Sequence, residues 1–137
     1  MPDEVILDSS VVVKLYFNEE GSQRAEDLLR TDITIIAPEL LFTEVASVAA
    51  KKVRMGVSTR EVARHAVIAV GDIIDSVFPL YELAHQAFLL ATDSGFSAYD
   101  ATYLALAQRR GTHVVTADAR LVARARDAGL GHLVRSL

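Results

Sequence analysis

Short runs of β-branched and aliphatic residues recur along this 137-residue chain, and a segment long enough to form a helix separates each run from the next. Strands that alternate with helices in this way pair in parallel, because a parallel connection needs a crossover of a dozen or more residues. The pattern predicts a three-layer α/β/α fold, with helices on both faces of a central parallel sheet of about five short strands. The predicted strands are residues 5–7, 33–36, 77–78, 112–116 and 133–134.

The segments between these runs carry helix start and stop signals. Pro38 suits the first turn of a helix, where its missing N–H has no cost, and Ser58 with Glu61 forms a capping-box pattern. Glycines at positions 56, 95, 111 and 129 stand where helices are expected to end. The predicted helices are residues 22–30, 38–55, 58–74, 81–92, 97–110 and 118–128.

The composition limits the classes of protein that this chain can belong to. Its formal charge of −4 argues against a protein that binds nucleic acid simply by being basic. The absence of cysteine excludes a disulfide scaffold, a thiol nucleophile and a cysteine-ligated metal site. The start of the chain lacks the pattern of a signal peptide, and no apolar stretch approaches the roughly 20 residues that span a bilayer. We therefore expect one domain over residues 1–137, a cytoplasmic location and no membrane partner.

Four acidic residues stand at places where an open parallel sheet forms its functional site. Asp8 follows the first predicted strand and Asp118 follows the fourth, and ligands bind such sheets at the carboxyl ends of the strands. Glu44 lies in a helix among apolar residues, and Asp100 is near the start of a helix that is otherwise almost entirely apolar. A charged carboxylate in such surroundings requires a partner. The four positions together predict an acidic crevice.

Each acid also has a simpler interpretation. Asp8 and Asp118 could cap the helices that follow them, and Asp100 could be the acidic residue of a helix start. Glu44 could pair with one of the lysines about two turns further along its helix or extend into solvent. The occurrence of all four acids together favours a shared site. Four capping or surface acids do not usually lie at neighbouring places in the topology with no basic residue beside any of them.

Clustered carboxylates repel one another, and a divalent cation relieves that repulsion. An all-oxygen set of ligands selects Mg²⁺ or Mn²⁺ over zinc. The four histidines show no HxxxH spacing and no convergence on strand ends, which also argues against zinc. Acidic Mg²⁺ sites on α/β sheets commonly serve phosphoryl chemistry. Substrate phosphates need positive charge near the crevice, and the candidates are Lys14, Lys51, Lys52, Arg54, Arg109, Arg110 and Arg120.

The segments that carry these acids resemble the PIN domain, and within it the VapC toxins of toxin–antitoxin pairs. The matching segments are residues 7–20, 37–46, 99–107 and 115–121. The resemblance covers nearly the whole chain and implies a PIN-like, Rossmann-like fold. Two positions depart from it, because Ser47 and Leu121 stand where many relatives have asparagine and an aromatic residue. Neither departure removes an acidic residue.

The resemblance also implies an activity and a set of functional residues. Asp8, Glu44, Asp100 and Asp118 would be the catalytic acids of a nuclease that cleaves single-stranded RNA with Mg²⁺ or Mn²⁺. Asp8, Asp100 and Asp118 would contact the metal, whereas Glu44 would reach it through water or orient the nucleophile. Ser10 and Thr116 would support the cluster with their hydroxyl groups.

The resemblance implies partners as well, namely RNA as substrate, a VapB-like antitoxin that inhibits the enzyme, and a second copy of the chain in a homodimer. Two alternatives remain open. The chain could be a PIN-domain nuclease of RNA processing outside a toxin–antitoxin pair. It could also be a receiver-like regulatory module that binds Mg²⁺, although such a module needs a lysine at the end of its last strand and this chain has none after Lys52.

Overall fold

The computed structural model describes residues 3–137, which contain one parallel sheet of five strands in the order β3-β2-β1-β4-β5. The predicted α/β fold with a central parallel sheet is confirmed. The chain starts at the central strand, moves outward to β3 and then returns to the other side of β1, so the strand order reverses between β1 and β4. The strands are β1 (Asp3–Leu7), β2 (Ile33–Pro38), β3 (Ser76–Phe78), β4 (Val114–Thr116) and β5 (Val134–Ser136).

Seven α-helices and one short 3₁₀ turn (Gly131–Leu133) connect the strands within residues 3–137. Helices α1 to α4 pack mainly with one another and α5 packs on α6, and right-handed crossovers place these two groups on opposite faces of the sheet. The helices are α1 (Ser9–Tyr16), α2 (Ser22–Leu29), α3 (Leu40–Arg54), α4 (Arg60–Ile73), α5 (Leu80–Ser94), α6 (Ala98–Arg110) and α7 (Ala119–Asp127).

The six predicted helices correspond to α2 through α7, and two of their start signals were wrong. Pro38 does not begin α3; it is the buried last residue of β2, in register with Phe78 of β3. A proline is tolerated at a strand end, where a missing N–H interrupts little of the ladder. Thr59, rather than Ser58, is the N-cap of α4, and its hydroxyl oxygen accepts a hydrogen bond from the backbone N–H of Val62 at 3.2 Å.

The predicted glycine stops are confirmed. Gly95 and Gly111 end α5 and α6 with φ angles of 72° and 66°, in the left-handed region that other residues rarely adopt. The same sign of φ occurs at Gly56 and Gly129.

The core lies where β1, β2 and β4 meet the helices. Ile6, Ile36 and Val114 are fully buried at the centre of the sheet. Residues 101–107 of α6 are all buried, so this helix presents almost no side to solvent. This explains its apolar sequence and brings Asp100, in its first turn, to the edge of the core. No helix in the described part of the chain has both the length and the apolar character needed to cross a bilayer.

Candidate active site

The most buried of the four acids is Asp8, which is 8% exposed. It follows β1 with an extended backbone and is the N-cap of α1, where its Oδ1 accepts a hydrogen bond from the N–H of Val11 at 3.3 Å. Oδ1 also accepts from the Ser10 hydroxyl at 2.5 Å, and Oδ2 accepts from the Thr116 hydroxyl at 2.5 Å. Three donors therefore fix the orientation of this carboxylate.

These hydrogen bonds oppose the effect of burial on Asp8. Burial raises the pKa of the Asp8 carboxyl above its ordinary value, and the hydrogen bonds from Ser10, Thr116 and Val11 reduce that rise without cancelling it. Ser10 and Thr116 each donate a hydroxyl hydrogen to a different oxygen of the Asp8 carboxylate.

Glu44 lies on α3 and is half-buried. Its Oε1 accepts a hydrogen bond from the hydroxyl of Tyr103 on α6 at 2.6 Å, rather than from a lysine further along its own helix. Burial raises the pKa of the Glu44 carboxyl; the Tyr103 hydrogen bond lowers it, and the charges of Asp8 and Asp100 raise it further. Glu44 is therefore within electrostatic reach of two of the other acids.

Asp100 and Asp118 lie at the starts of two helices. The backbone N–H of Asp100 donates to the Ser97 hydroxyl, the N-cap of α6, at 3.1 Å. Burial raises the pKa of the Asp100 carboxyl and the charge of Asp118 raises it further, whereas Ser97 and the charge of Arg124 lower it. Asp118 is the N-cap of α7, and its Oδ1 accepts from the N–H of Arg120 at 2.9 Å.

The simpler interpretations of Asp8 and Asp118 as helix caps are therefore correct, and they are compatible with a shared site. An N-cap residue at the end of a strand directs its carboxylate toward the same edge of the sheet as the other strand ends. Burial raises the pKa of Asp8, Glu44 and Asp100, and the charges of neighbouring acids raise it further at Glu44 and Asp100, close to the point where the strand order reverses.

The carboxylates are neighbours without forming a coordination shell in this conformation. Among residues 3–137, no group of three or more acidic or histidine side chains is arranged to hold a metal ion. Electrostatic coupling acts over longer distances than the 2.0–2.6 Å of metal–oxygen bonds. The donor set fits Mg²⁺ or Mn²⁺ by its chemistry, since it contains only oxygen ligands.

A family model of the PIN domain matches residues 5–127. This chain belongs to the PIN domain family. Ribonuclease VapC3 of Pyrobaculum aerophilum is similar to this PIN domain, with 29% identity over 120 residues that cover 86% of this chain and 92% of the relative.

Solved structures resemble this PIN domain in fold. VapC20 of Mycobacterium tuberculosis, described as a toxin that cleaves the sarcin-ricin loop, has a TM-score of 0.66 at 17% identity and covers 87% of this chain and 93% of its own. VapBC2 of Rickettsia felis, solved with a DNA fragment from its promoter, has a TM-score of 0.67 at 11% identity and covers 98% of both chains. At these identities the likeness shows the fold alone.

Four of the basic residues expected to contact substrate phosphates are held in ion pairs of this PIN domain. Lys14 and Lys52 both bind the Glu19 carboxylate, at 3.2 and 3.0 Å. The other pairs are Arg109 with Glu82 and Arg110 with Glu4. These pairs join α1 and α3 through Glu19, α6 to α5, and α6 to β1, and both lysines bind Glu19 rather than Glu44.

Two residues near the acids were missed by the sequence analysis. Arg124 lies on α7 and its charge lowers the pKa of Asp100. Tyr103 belongs to the mainly apolar sequence of α6, but its position three residues after Asp100 places both residues on one face of the helix. That spacing was the available signal for Tyr103, whereas no local pattern relates Arg124 to Asp100.

Proposed function

We propose that this protein is a metal-dependent endoribonuclease that hydrolyses phosphodiester bonds of single-stranded RNA, in the manner of VapC toxins. The observation that carries the proposal is the electrostatic coupling of Asp8, Glu44, Asp100 and Asp118 at the carboxyl edge of a parallel sheet. Within residues 3–137 no basic side chain is hydrogen-bonded to these four coupled carboxylates, which suits them to a divalent cation. Membership of the PIN domain family and the similarity to a ribonuclease support this reading.

The residues divide into distinct roles in this proposal. Asp8, Asp100 and Asp118 would hold Mg²⁺ or Mn²⁺, which supplies positive charge to the scissile phosphate and lowers the pKa of the attacking water. Glu44 has Oε1 engaged by Tyr103, so Oε2 is the atom that would accept a proton from that water.

Supporting residues keep these acids in place. Ser10 and Thr116 fix the carboxylate of Asp8 before substrate arrives, which avoids reorganisation during the reaction. Arg124, whose charge already acts on Asp100, would attract an RNA phosphate to the crevice.

The test is cleavage of a labelled single-stranded RNA by purified protein in Mn²⁺ or Mg²⁺, with EDTA to remove the metal. We expect cleavage that EDTA stops and that Asp100→Asn abolishes while helical circular dichroism is retained. Asp127→Asn is the matched control, since Asp127 is exposed at the opposite end of α7 from Asp118, and it should cleave at the wild-type rate. Wild-type activity in Asp100→Asn would contradict the assignment.

We further propose an antitoxin of the VapB type and a homodimer as partners. Neighbouring folds include toxin–antitoxin complexes from Klebsiella pneumoniae and Haemophilus influenzae. Ile68 of α4 and Tyr81 and Phe88 of α5 are more than half exposed, and large exposed apolar residues favour association. Sedimentation of the wild type and of Phe88→Glu tests the dimer; a wild-type monomer would contradict it.

A PIN-domain nuclease of RNA processing is the remaining second candidate, because family membership removes the receiver-like alternative. Induced expression in a bacterial host distinguishes the two. A toxin arrests growth, and co-expression of the small protein encoded beside its gene restores growth. A processing nuclease produces neither effect.

A further inference from the structure

Tyr103 makes one hydrogen bond that joins two parts of the acidic crevice. Tyr103 is 2% exposed, and its hydroxyl donates to Glu44 Oε1 at 2.6 Å across 59 residues of sequence. It lies one helical turn after Asp100 on α6, whereas Glu44 lies on α3. The bond therefore sets the position of Glu44 relative to the helix that carries Asp100.

The direction of this hydrogen bond is fixed by its surroundings. Burial raises the pKa of the Tyr103 hydroxyl far above its ordinary value, and the charges of Glu44, Asp8 and Asp100 raise it further. The hydroxyl thus stays protonated and acts as a donor to the carboxylate. A buried phenol also needs a partner, because an unpaired hydroxyl in the core costs free energy.

Tyr103 is therefore more than a packing residue of α6. The other buried side chains of this helix are almost all apolar, so they need no hydrogen-bond partner on α3. Glu44 faces two like charges, and a neutral donor on one oxygen holds the carboxylate in a single orientation without adding a countercharge.

We propose that Tyr103 is a positioning residue of the proposed ribonuclease: its hydroxyl holds Glu44 so that Oε2 is directed toward Asp8 and Asp100. Tyr103 acts through Glu44 and does not touch the RNA. This inference rests on the proposed function. It also predicts an effect on metal binding, which can be measured on the protein without RNA.

The test replaces Tyr103 with phenylalanine, which keeps the ring and removes only the hydroxyl. We expect kcat for RNA cleavage to fall about tenfold with KM for RNA changed less than about twofold, since substitution of a residue that orients a metal-site group typically costs 10–100-fold. Electron paramagnetic resonance of free Mn²⁺, recorded without RNA, should show the Kd for Mn²⁺ raised by about tenfold. Thermal unfolding confirms that the variant is folded.

Tyr16→Phe is the matched control. The Tyr16 hydroxyl donates to the backbone carbonyl of Ala69 at 3.1 Å and joins α1 to α4. This substitution also removes one interhelical tyrosine hydrogen bond, but none to an acid of the crevice. Its kcat and Kd for Mn²⁺ should equal those of the wild type.

A double-mutant cycle separates positioning from general structural support. In a Glu44→Ala background, Tyr103→Phe should leave the Kd for Mn²⁺ unchanged, because the group through which Tyr103 acts is gone; an additive loss would overturn the proposal. Wild-type kcat and Kd in Tyr103→Phe alone would overturn it and leave the ribonuclease assignment intact. A wild-type protein that neither binds Mn²⁺ nor cleaves RNA would overturn both.

Discussion

Thr116 donates its hydroxyl hydrogen to Asp8 Oδ2 at 2.5 Å, and this contact joins the end of β4 to the end of β1, 108 residues apart in sequence. The same Thr116 oxygen accepts the backbone N–H of Asp118 at 3.0 Å. One buried hydroxyl therefore relates two of the acids to each other. It lies where the strand order reverses, so the geometry of the crevice depends on pairing between β1 and β4.

Thr116→Val should lower the free energy of unfolding by about 1–3 kcal/mol, because the buried Asp8 carboxylate loses a donor that nothing replaces. Urea unfolding at neutral pH measures the change. Thr102→Val is the control, since the buried Thr102 hydroxyl donates to the Ala98 carbonyl within α6 at 2.7 Å and partners no charge. An equal loss in both variants would contradict a specific role for Thr116.

Glu19→Gln should lower the free energy of unfolding by about 1 kcal/mol at pH 7, because Glu19 binds both Lys14 and Lys52 in a partly buried place. Burial alone raises the pKa of the Glu19 carboxyl, but the hydrogen bonds and charges of Lys52 and Lys14 outweigh burial and bring the pKa below its ordinary value.

The sign of the pH dependence at Glu19 follows from that lowered pKa. The folded protein binds fewer protons than the unfolded chain between the two pKa values, so the stabilisation is present above about pH 4.3 and disappears as the pH falls through the folded value. The difference between wild type and Glu19→Gln should therefore vanish in acid. Asp27→Asn breaks an exposed pair with Arg30 and should change stability by less than about 0.5 kcal/mol.

Most elements of this fold could be predicted from local sequence because their signals are local. The β-branched runs locate all five strands, and the glycines end the helices by a backbone conformation that other residues rarely adopt. The position of Pro38 could not be predicted in this way, because pairing with β3 decides it. Helix α1 was not among the predicted segments, because the consecutive valines at its centre favour a strand by propensity.

The four acids could be selected from sequence because carboxylates at strand ends and in apolar helices are rare and have a physical meaning. Their partners could not be selected equally well. The Tyr103–Glu44 bond joins residues 59 positions apart, and only the packing of α3 and α6 creates it. Asp8 and Asp118 cap their helices, and this does not exclude a role in the proposed site, because a strand that leads directly into a helix places the capping residue at the carboxyl edge of the sheet.

Two glycine substitutions should change stability in opposite directions. Gly71 lies inside α4, where a Cβ would meet no atom within 4 Å, so Gly71→Ala should stabilise the protein by about 0.5–1 kcal/mol. Gly95 has equal space but a φ of 72°, so Gly95→Ala should destabilise it by about 1–2 kcal/mol. Thermal unfolding of both variants measures the direction of each change in stability. Equal shifts would contradict backbone conformation as the cause.

Asp100→Asn should stabilise the protein in EDTA, and the gain should increase with pH. Burial raises the pKa of Asp100 and the charge of Asp118 raises it further, so the folded protein binds more protons than the unfolded chain above about pH 3.9. The free energy of unfolding therefore falls as the pH rises toward the folded pKa, and the penalty is complete above it. The neutral asparagine removes this penalty, which urea unfolding from pH 3.5 to 8 measures.

Mn²⁺ should make the wild type more stable than Asp100→Asn, the reverse of their order in EDTA. A cation that binds only the folded state stabilises it more the more tightly it binds, and Asp100→Asn should weaken the site. The wild type should therefore gain more thermal stability from millimolar Mn²⁺ than the variant. Asp127→Asn, outside the crevice, should gain as much as the wild type. In this proposal the Asp100 charge that lowers stability in EDTA is also the charge that binds the ion. If Mn²⁺ stabilised Asp100→Asn as much as the wild type, the acids at this edge of the sheet would not share a metal.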